Sequence, residues 1–256
     1  MKVNRAKEKL RAGETIYGDF ANGLSVEMVE IMALSGFDFI TIDSEHAPSS
    51  DERNRLLVMA GECRNTPVFI RTPNKLHSSI LRSLDIGAQG LLLPQVNTPE
   101  EAREIIQAAK YYPEGFRGVG LGRGADYGIG VNLEDYFRRS NDNLLVAVQC
   151  ENAAAAPHLD AIAAVPGVDV IFVGPFDLSQ SLGVPGQINA PAVKEIVNTV
   201  PEICARHGKY AGIFTFSITE AKEYAARGFR YIIAGSDLNY LGEGCRSALR
   251  ELRTRD

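Results

Sequence analysis

No segment of the chain reaches the roughly 18 apolar residues of a membrane span. Its opening, MKVNRAKEKLRAGE, is charged where a signal peptide would be apolar. These absences predict a soluble, cytoplasmic protein with no membrane partner. There is also no basic block longer than a dipeptide: 27 Lys and Arg lie scattered among 32 Asp and Glu, for a net charge of −5. That distribution argues against nucleic acid as a partner. Cysteine is sparse. Cys63, Cys150, Cys204 and Cys245 lie far apart, without a C-x-x-C pair or a short Cys/His spacing, which argues against a zinc knuckle and for a reducing compartment. No internal repeat, low-complexity tract or linker interrupts the chain, so residues 1–256 read as one domain.

What is present is a rhythm. Eight apolar, strand-like runs recur: 15–21, 37–42, 67–71, 90–96, 144–150, 169–174, 210–216 and 230–235. Between them, segments such as 25–35, 99–110, 190–208 and 219–228 carry apolar residues at helical spacing. Thr98 or Pro99 and Thr219 suit helix starts, and Gly208 and Gly228 suit stops. Eight buried strands alternating with helices over about 250 residues predict an α/β fold, a (β/α)8 TIM barrel. The competing fold is a doubly wound open sheet. It is weakened because no G-x-G-x-x-G follows the first run.

Residues 111–132, with seven glycines, break the rhythm. A loop of that length suits either an anion site, with Arg117 and Arg123 supplying charge, or a surface loop or oligomer contact.

A parallel barrel carries its chemistry at the carboxyl ends of its strands. Four ends are loaded: Asp43, Glu45 and His46 after the second run, Arg71 after the third, Gln149, Cys150 and Glu151 after the fifth, and Asp177 in 174-GPFDLS-179 after the sixth. An Asp in that place serves as a cap or turn residue as readily as a ligand. The remaining ends offer Asn97, Ser217 and Ser236. Glu151 and Asp177 are suited to hold an octahedral Mg2+ or Mn2+ through oxygen, leaving positions open to water and a 2-oxo acid. Such a cation stabilises the enolate formed when a proton leaves C3, with Arg71 against the same oxyanion. His46 is a natural proton carrier, although it would equally serve as a structural histidine bonded to a carboxylate. His77, His158 and His207 fall in helical or loop segments. No lysine ends a strand, so a Schiff base lacks a nucleophile. Cys150 alternates away from Gln149 and Glu151 and reads as buried and inert. Backbone amides in 174–179 can hold a carboxylate.

Four motifs, 36-GFDFITIDSEHAP-48, 84-LDIGAQGLLLPQV-96, 113-PEGFRGVG-120 and 168-VDVIFVGPFDLS-179, with 149-QCE-151 between, resemble the HpcH/HpaI aldolase family. These are metal-dependent pyruvate aldolases of the phosphoenolpyruvate/pyruvate barrel superfamily, acting on substrates such as 2,4-dihydroxyhept-2-ene-1,7-dioate or 2-dehydro-3-deoxyglucarate. The likeness spans about residues 8 to 250. It implies a class II reaction in which pyruvate or a related 2-oxo acid is enolised and adds reversibly to an aldehyde. By this resemblance His46 is the general base, Arg71 the enolate stabiliser, and Glu151 and Asp177 the ligands of Mg2+, Mn2+ or Co2+. Asp43 joins the catalytic set. Gln149 and the turn Gly174, Pro175, Phe176 and Asp177 contact substrate, with the amides of Phe176 and Asp177 clamping its carboxylate. Asp85 would raise the basicity of the histidine from its own or a neighbouring subunit, and a homo-oligomer, a hexamer built as a trimer of dimers, is implied. Phe176 stands where relatives typically have alanine, the chain reads 149-QCEN-152 where Gln-Val/Ile-Glu-Thr is commoner, and Phe20 replaces a tryptophan found in some members. Two other outcomes keep the same pocket: decarboxylation of oxaloacetate or another lyase reaction, and a barrel that binds a 2-oxo acid without turnover.

Overall fold

The computed structural model describes residues 2–254. In chain order the first half runs α1 (Arg5–Arg11), β1 (Ile16–Ala21), α2 (Val26–Leu34), β2 (Phe39–Asp43), α3 (Asp51–Cys63), β3 (Val68–Arg71), α4 (His77–Asp85), β4 (Gly90–Leu93) and α5 (Pro99–Ala109). A kinked 3-10 segment, Arg123–Gly128, precedes α6 (Leu133–Asn143), β5 (Leu145–Gln149), a second 3-10 segment (Ala153–His158) and α7 (Leu159–Ala163). The chain closes with β6 (Val170–Val173), α8 (Pro175–Ser181), α9 (Pro191–Arg206), β7 (Tyr210–Phe214), α10 (Ile218–Ala226), β8 (Phe229–Ser236) and α11 (Asp237–Arg253). All neighbouring strands pair in parallel, and β1 pairs with β8, so the sheet is the closed (β/α)8 barrel its rhythm predicts. The open sheet is thereby excluded.

Alternation along the strands sorts side chains into two cores. Phe20, Phe39, Phe69, Phe172 and Tyr231 fill the barrel interior, whereas Ile40, Ile42, Ile70, Val148, Cys150 and Ile171 face the helix layer. Cys150 is therefore buried away from Gln149, as expected. Large rings need small partners: a Cβ on Gly90 would stand 2.5 Å from the Phe69 ring, and one on Gly18 would collide with Phe39. Below this layer α1 places Ala6 and Leu10 against Ile16 and seals the amino-terminal mouth. The Lys7 ammonium fastens this plug, donating to the Leu144 carbonyl at 2.5 Å and pairing with Asp169 at 3.0 Å.

Several helices begin where their caps predict. Thr98 accepts from the Glu101 amide, and Ser25, Ser50 and Ser236 do the same for α2, α3 and α11. The start expected at Thr219 lies earlier, because Ser217 caps α10 from the Glu220 amide. The run 90–96 stops as a strand at Leu93: Pro94 brings no N–H, and Gln95 turns the chain at φ +55°.

Two features stand outside this economy. Asp19 on β1 is fully buried; its Oδ1 accepts the Phe20 amide at 2.8 Å while Oδ2 has no hydrogen-bond partner. Burial, with the nearby charge of Asp237, pushes this carboxyl up to about 8. Helix α11 buries only Asp237, leaving Leu238, Leu241, Leu249 and Leu252 exposed along it. Among the described residues no helix is long and apolar enough to cross a membrane.

Candidate active site

The inward parity that places Phe39 and Phe69 in the interior also delivers Asp43, four residues past Phe39, and Arg71, two past Phe69, to the carboxyl rim. They meet as a fork: Arg71 Nε donates to Asp43 Oδ1 at 2.9 Å and Nη2 to Oδ2 at 2.7 Å. Asp43 Oδ1 also accepts the amides of Glu45 and His46 at 3.0 and 3.1 Å, and Asn22 Nδ2 reaches Oδ2 at 3.1 Å. Burial alone would raise the Asp43 carboxyl, but the hydrogen bonds and charge of Arg71 outweigh it and hold it below the usual carboxylate range. Asp43 is thus both the turn residue of its loop and the anchor of the guanidinium, which lies 4.4 Å over the Phe20 ring.

The Glu45 carboxylate lies 3.5 Å from Arg71 Nε and 3.8 Å from His46 Nε2. Its acidity is weakened by burial and by the charges of Asp43 and Asp177, against the pull of Arg71 and His46. His46 is the most exposed member of this set, with 60% of its side chain exposed.

Across the mouth, Gln149 and Glu151 share a face, as strand alternation requires, and Gln149 Nε2 donates to Glu151 Oε2. Glu151 Oε1 accepts the Gln95 amide at 3.0 Å, which accounts for the turn after β4. Burial, together with the negative charges of Asp177 and Glu45, pushes the Glu151 carboxyl up to about 7. Gly174 leaves the space this carboxylate uses: a Cβ there would stand 2.8 Å from Oε2. In α8 the first intrahelical bond runs from the Leu178 amide to the Gly174 carbonyl, so the Phe176 and Asp177 amides precede the ladder.

A cleft of about 230 Å3 joins these groups, lined among others by Asn22, Asp43, His46, Arg71, Gln149 and Asp177. Of the residues expected at the site, Asp43, His46, Arg71, Gln149, Gly174, Phe176 and Asp177 line it; Glu151 is not a lining residue and is joined to it through Gln149. Asp85 does not join them within the chain: it ends α4 at the opposite end of the barrel, where it pairs with Arg117 at 2.8 Å. The glycine-rich segment follows it. Arg117 also lies over Tyr111, and Arg123 pairs with Glu62 and donates to the Ile86 carbonyl, so neither guanidinium supplies charge at the mouth. Their surroundings include Gly87, Gln89 and Leu144, at the amino ends of β4 and β5. The anion-site expectation for this loop is corrected accordingly, since the α5-to-β5 connection lies at the wrong end. Asn22, Phe214 and Phe216 line the cleft. They escaped the chemical reading although the same strand-end rule points to them: Asn22 follows β1, and Phe216 lies two residues past β7.

The residues present suit a divalent cation. Glu151 and Asp177 offer oxygen alone, Gln149 Oε1 is buried without a hydrogen-bond partner, and the Glu151 carboxyl is crowded by like charge that a cation would neutralise. Among the described residues no three His, Cys, Asp or Glu side chains cluster as a closed site, consistent with a shell that water and substrate complete.

The sequence model of the HpcH/HpaI aldolase/citrate lyase family matches residues 17–243. A hydroxypyruvate/pyruvate aldolase of Chromohalobacter salexigens is 38% identical over 231 residues, 90% of this chain and 90% of its own length. A 2-keto-3-deoxy-L-rhamnonate aldolase of Escherichia coli is 39% identical over 239 residues, 92% of this chain and 88% of its own. Among solved structures, an HpcH/HpaI aldolase/citrate lyase family protein from Burkholderia cenocepacia superposes with a TM-score of 0.92 at 33% identity, covering 98% of this chain and all of that one.

Proposed function

The chain belongs to the HpcH/HpaI aldolase/citrate lyase family, and from that premise we propose that it is a divalent-metal-dependent aldolase interconverting a 4-hydroxy-2-oxo acid with pyruvate, or a related 2-oxo acid, and an aldehyde. The observation that carries this reading is the Asp43–Arg71 fork set in one cleft with His46 and Asp177. A binding protein has little use for a fixed cation and a proton carrier lining the same small volume.

Glu151 and Asp177, with Gln149 beside them, hold the metal, and Mg2+, Mn2+ and Co2+ all suit their oxygens. When bound, the metal supplies Lewis acidity toward the 2-oxo acid. The protein's own groups do the rest. The amides of Phe176 and Asp177 receive the substrate carboxylate. Arg71, unable to turn because Asp43 grips two of its nitrogens, presents positive charge to the oxygen that becomes negative. His46 Nε2 takes the proton from C3. The electron pair of that C–H bond then forms the new bond from C3 to the aldehyde carbon, and the aldehyde oxygen takes up a proton to become the 4-hydroxyl. Cleavage runs the same steps backward.

The finer parts of this reading concern the whole chain. Residues 1–256 form one domain of a cytoplasmic homo-oligomer, a trimer of dimers. The exposed leucines of α11 support self-association. A role for Asp85 at His46 requires contact from a second copy of the chain, since in its own subunit it lies at the far end.

The test is deuterium exchange into the pyruvate methyl group, followed by NMR with Mg2+ or Mn2+ and after chelation. Exchange should require metal and fall at least about a hundredfold in His46→Ala. No exchange with any metal sinks the aldolase reading; undiminished exchange in His46→Ala removes His46 as the base.

A further inference from the structure

We propose that the acceptor aldehyde carries an aryl or comparably flat apolar substituent, stacked on a phenylalanine wall that is distinct from the machinery of proton removal. This deepens the aldolase reading and rests on it.

The wall is assembled from three places in the chain. Phe20 comes from β1, Phe176 from the first turn of α8, Phe214 from the end of β7 and Phe216 from the residues just beyond. Their rings form a connected set: centroids lie 5.6 Å apart for Phe20 and Phe214, 4.7 Å for Phe214 and Phe216, 5.9 Å for Phe176 and Phe216, and 6.3 Å for Phe176 and Phe214. Three of these four contacts are inclined by more than 55°, so the edges of some rings support the faces of others. All four line the cleft that holds His46, Arg71 and Asp177.

The cleft is therefore two-sided. One side is charged, and the fork of Asp43 and Arg71 fixes it. The other is apolar, and it is incompletely covered: Phe176 is 39% and Phe216 53% exposed. Two large rings standing half in water next to a reacting centre are a surface awaiting a ligand. Phe20 is 5% exposed, with the Arg71 guanidinium over its face. It backs the wall, leaving Phe176 and Phe216 as the contact residues.

Phe176 and Asp177 line the same cleft, so whatever reacts near that carboxylate does so in a space the Phe176 ring borders. The 2-oxo acid needs the charged side, because its carboxylate and developing oxyanion are met there. The aldehyde's substituent is what remains for the rings. A chain of hydroxyls placed on them would give up water without gaining hydrogen bonds, which disfavours it. A flat apolar substituent loses little solvation and gains stacking. Phe176 and Phe216 are thus specificity-determining residues, selecting the acceptor and leaving the donor to the opposite side.

The experiment compares kcat/KM for pyruvate addition to benzaldehyde and to glycolaldehyde in the Mg2+-loaded enzyme, with deuterium exchange into pyruvate recorded on the same preparation. Benzaldehyde should be preferred by about tenfold or more. Phe216→Ala and Phe176→Ala should each shrink that ratio severalfold, whereas Phe216→Tyr, which keeps a ring, should preserve most of it. Because Phe216 is largely exposed, its replacement leaves the barrel core untouched. If exchange proceeds while glycolaldehyde is used equally well or better, the acceptor proposal is overturned and the aldolase reading stands. A ratio unmoved by both alanine variants also overturns it. Loss of exchange under every metal overturns the aldolase reading itself.

Discussion

Two buried aspartates show how context sets the meaning of one residue type. Asp43 is fully buried and satisfied by a guanidinium, two amides and the Asn22 side chain, so it stays ionised and holds Arg71 in one orientation. Asp19 is as deeply buried but meets no cation, and its carboxyl is pushed up to about 8. The folded state therefore binds the Asp19 proton more tightly than the unfolded state does. Stability from this site is greatest below pH 4, declines as pH rises through the window between about 4 and 8, and is fully lost above it. Asp19→Asn should remove that decline. Its melting temperature should exceed that of the parent by more at pH 9 than at pH 5, and an equal difference at both would show that Asp19 does not titrate in this window. The sequence disclosed Asp43 because it ends a strand beside charged neighbours. It concealed the difference between the two aspartates, since inside a strand a carboxylate on the helix-facing side is recognised only once its surroundings are known.

At the scale of elements, the barrel depends on matched sizes across neighbouring strands. One such match is Gly90 on β4 against Phe69 on β3, whose backbones are paired in register. Gly90→Ala forces the ring to move within an interior already filled by Phe39 and Tyr231. It should cost roughly 1–3 kcal/mol, read as a lowered urea midpoint; an unchanged midpoint would show that the ring has room to yield. The strands were legible because most are apolar on both faces, as barrel strands are. Their ends were less so, since a residue such as Val96 is buried and apolar whether it extends β4 or lies in the turn beyond it. Short or polar helices gave weak signals. In α8, seven residues long, Pro175 and Asp177 read more readily as turn residues than as a first helical turn. Reading the strand ends gathered Asp43, His46, Arg71, Gln149 and Asp177, which line one cleft because strand direction fixes which end faces it. It missed Phe216, which lines the same cleft, because it attended to charge alone. Arg117 and Arg123 were misplaced because a connection from helix to strand returns to the opposite end.

For the whole molecule, the unresolved account is that of α11, an amphipathic helix of 17 residues with a single buried side chain. Four exposed leucines on one helix are costly in water and expected at an interface between copies. Light scattering should give a mass of about six times the 27.9 kDa subunit, and Leu241→Lys with Leu249→Lys should shift it toward smaller species. A parent mass equal to one subunit would refute the oligomer.

The packed rings of the barrel interior, with α1 beneath them, make the cleft a blind well. With Phe39, Phe69, Phe172 and Tyr231 filling the interior and Ala6, Leu10 and Ile16 below them, the cleft opens at one end of the barrel alone. On the proposed reading, with the 2-oxo acid at buried Arg71 and the aldehyde at half-exposed Phe176 and Phe216, traffic would have a direction: the deeper guest arrives first, and in cleavage the aldehyde departs before pyruvate.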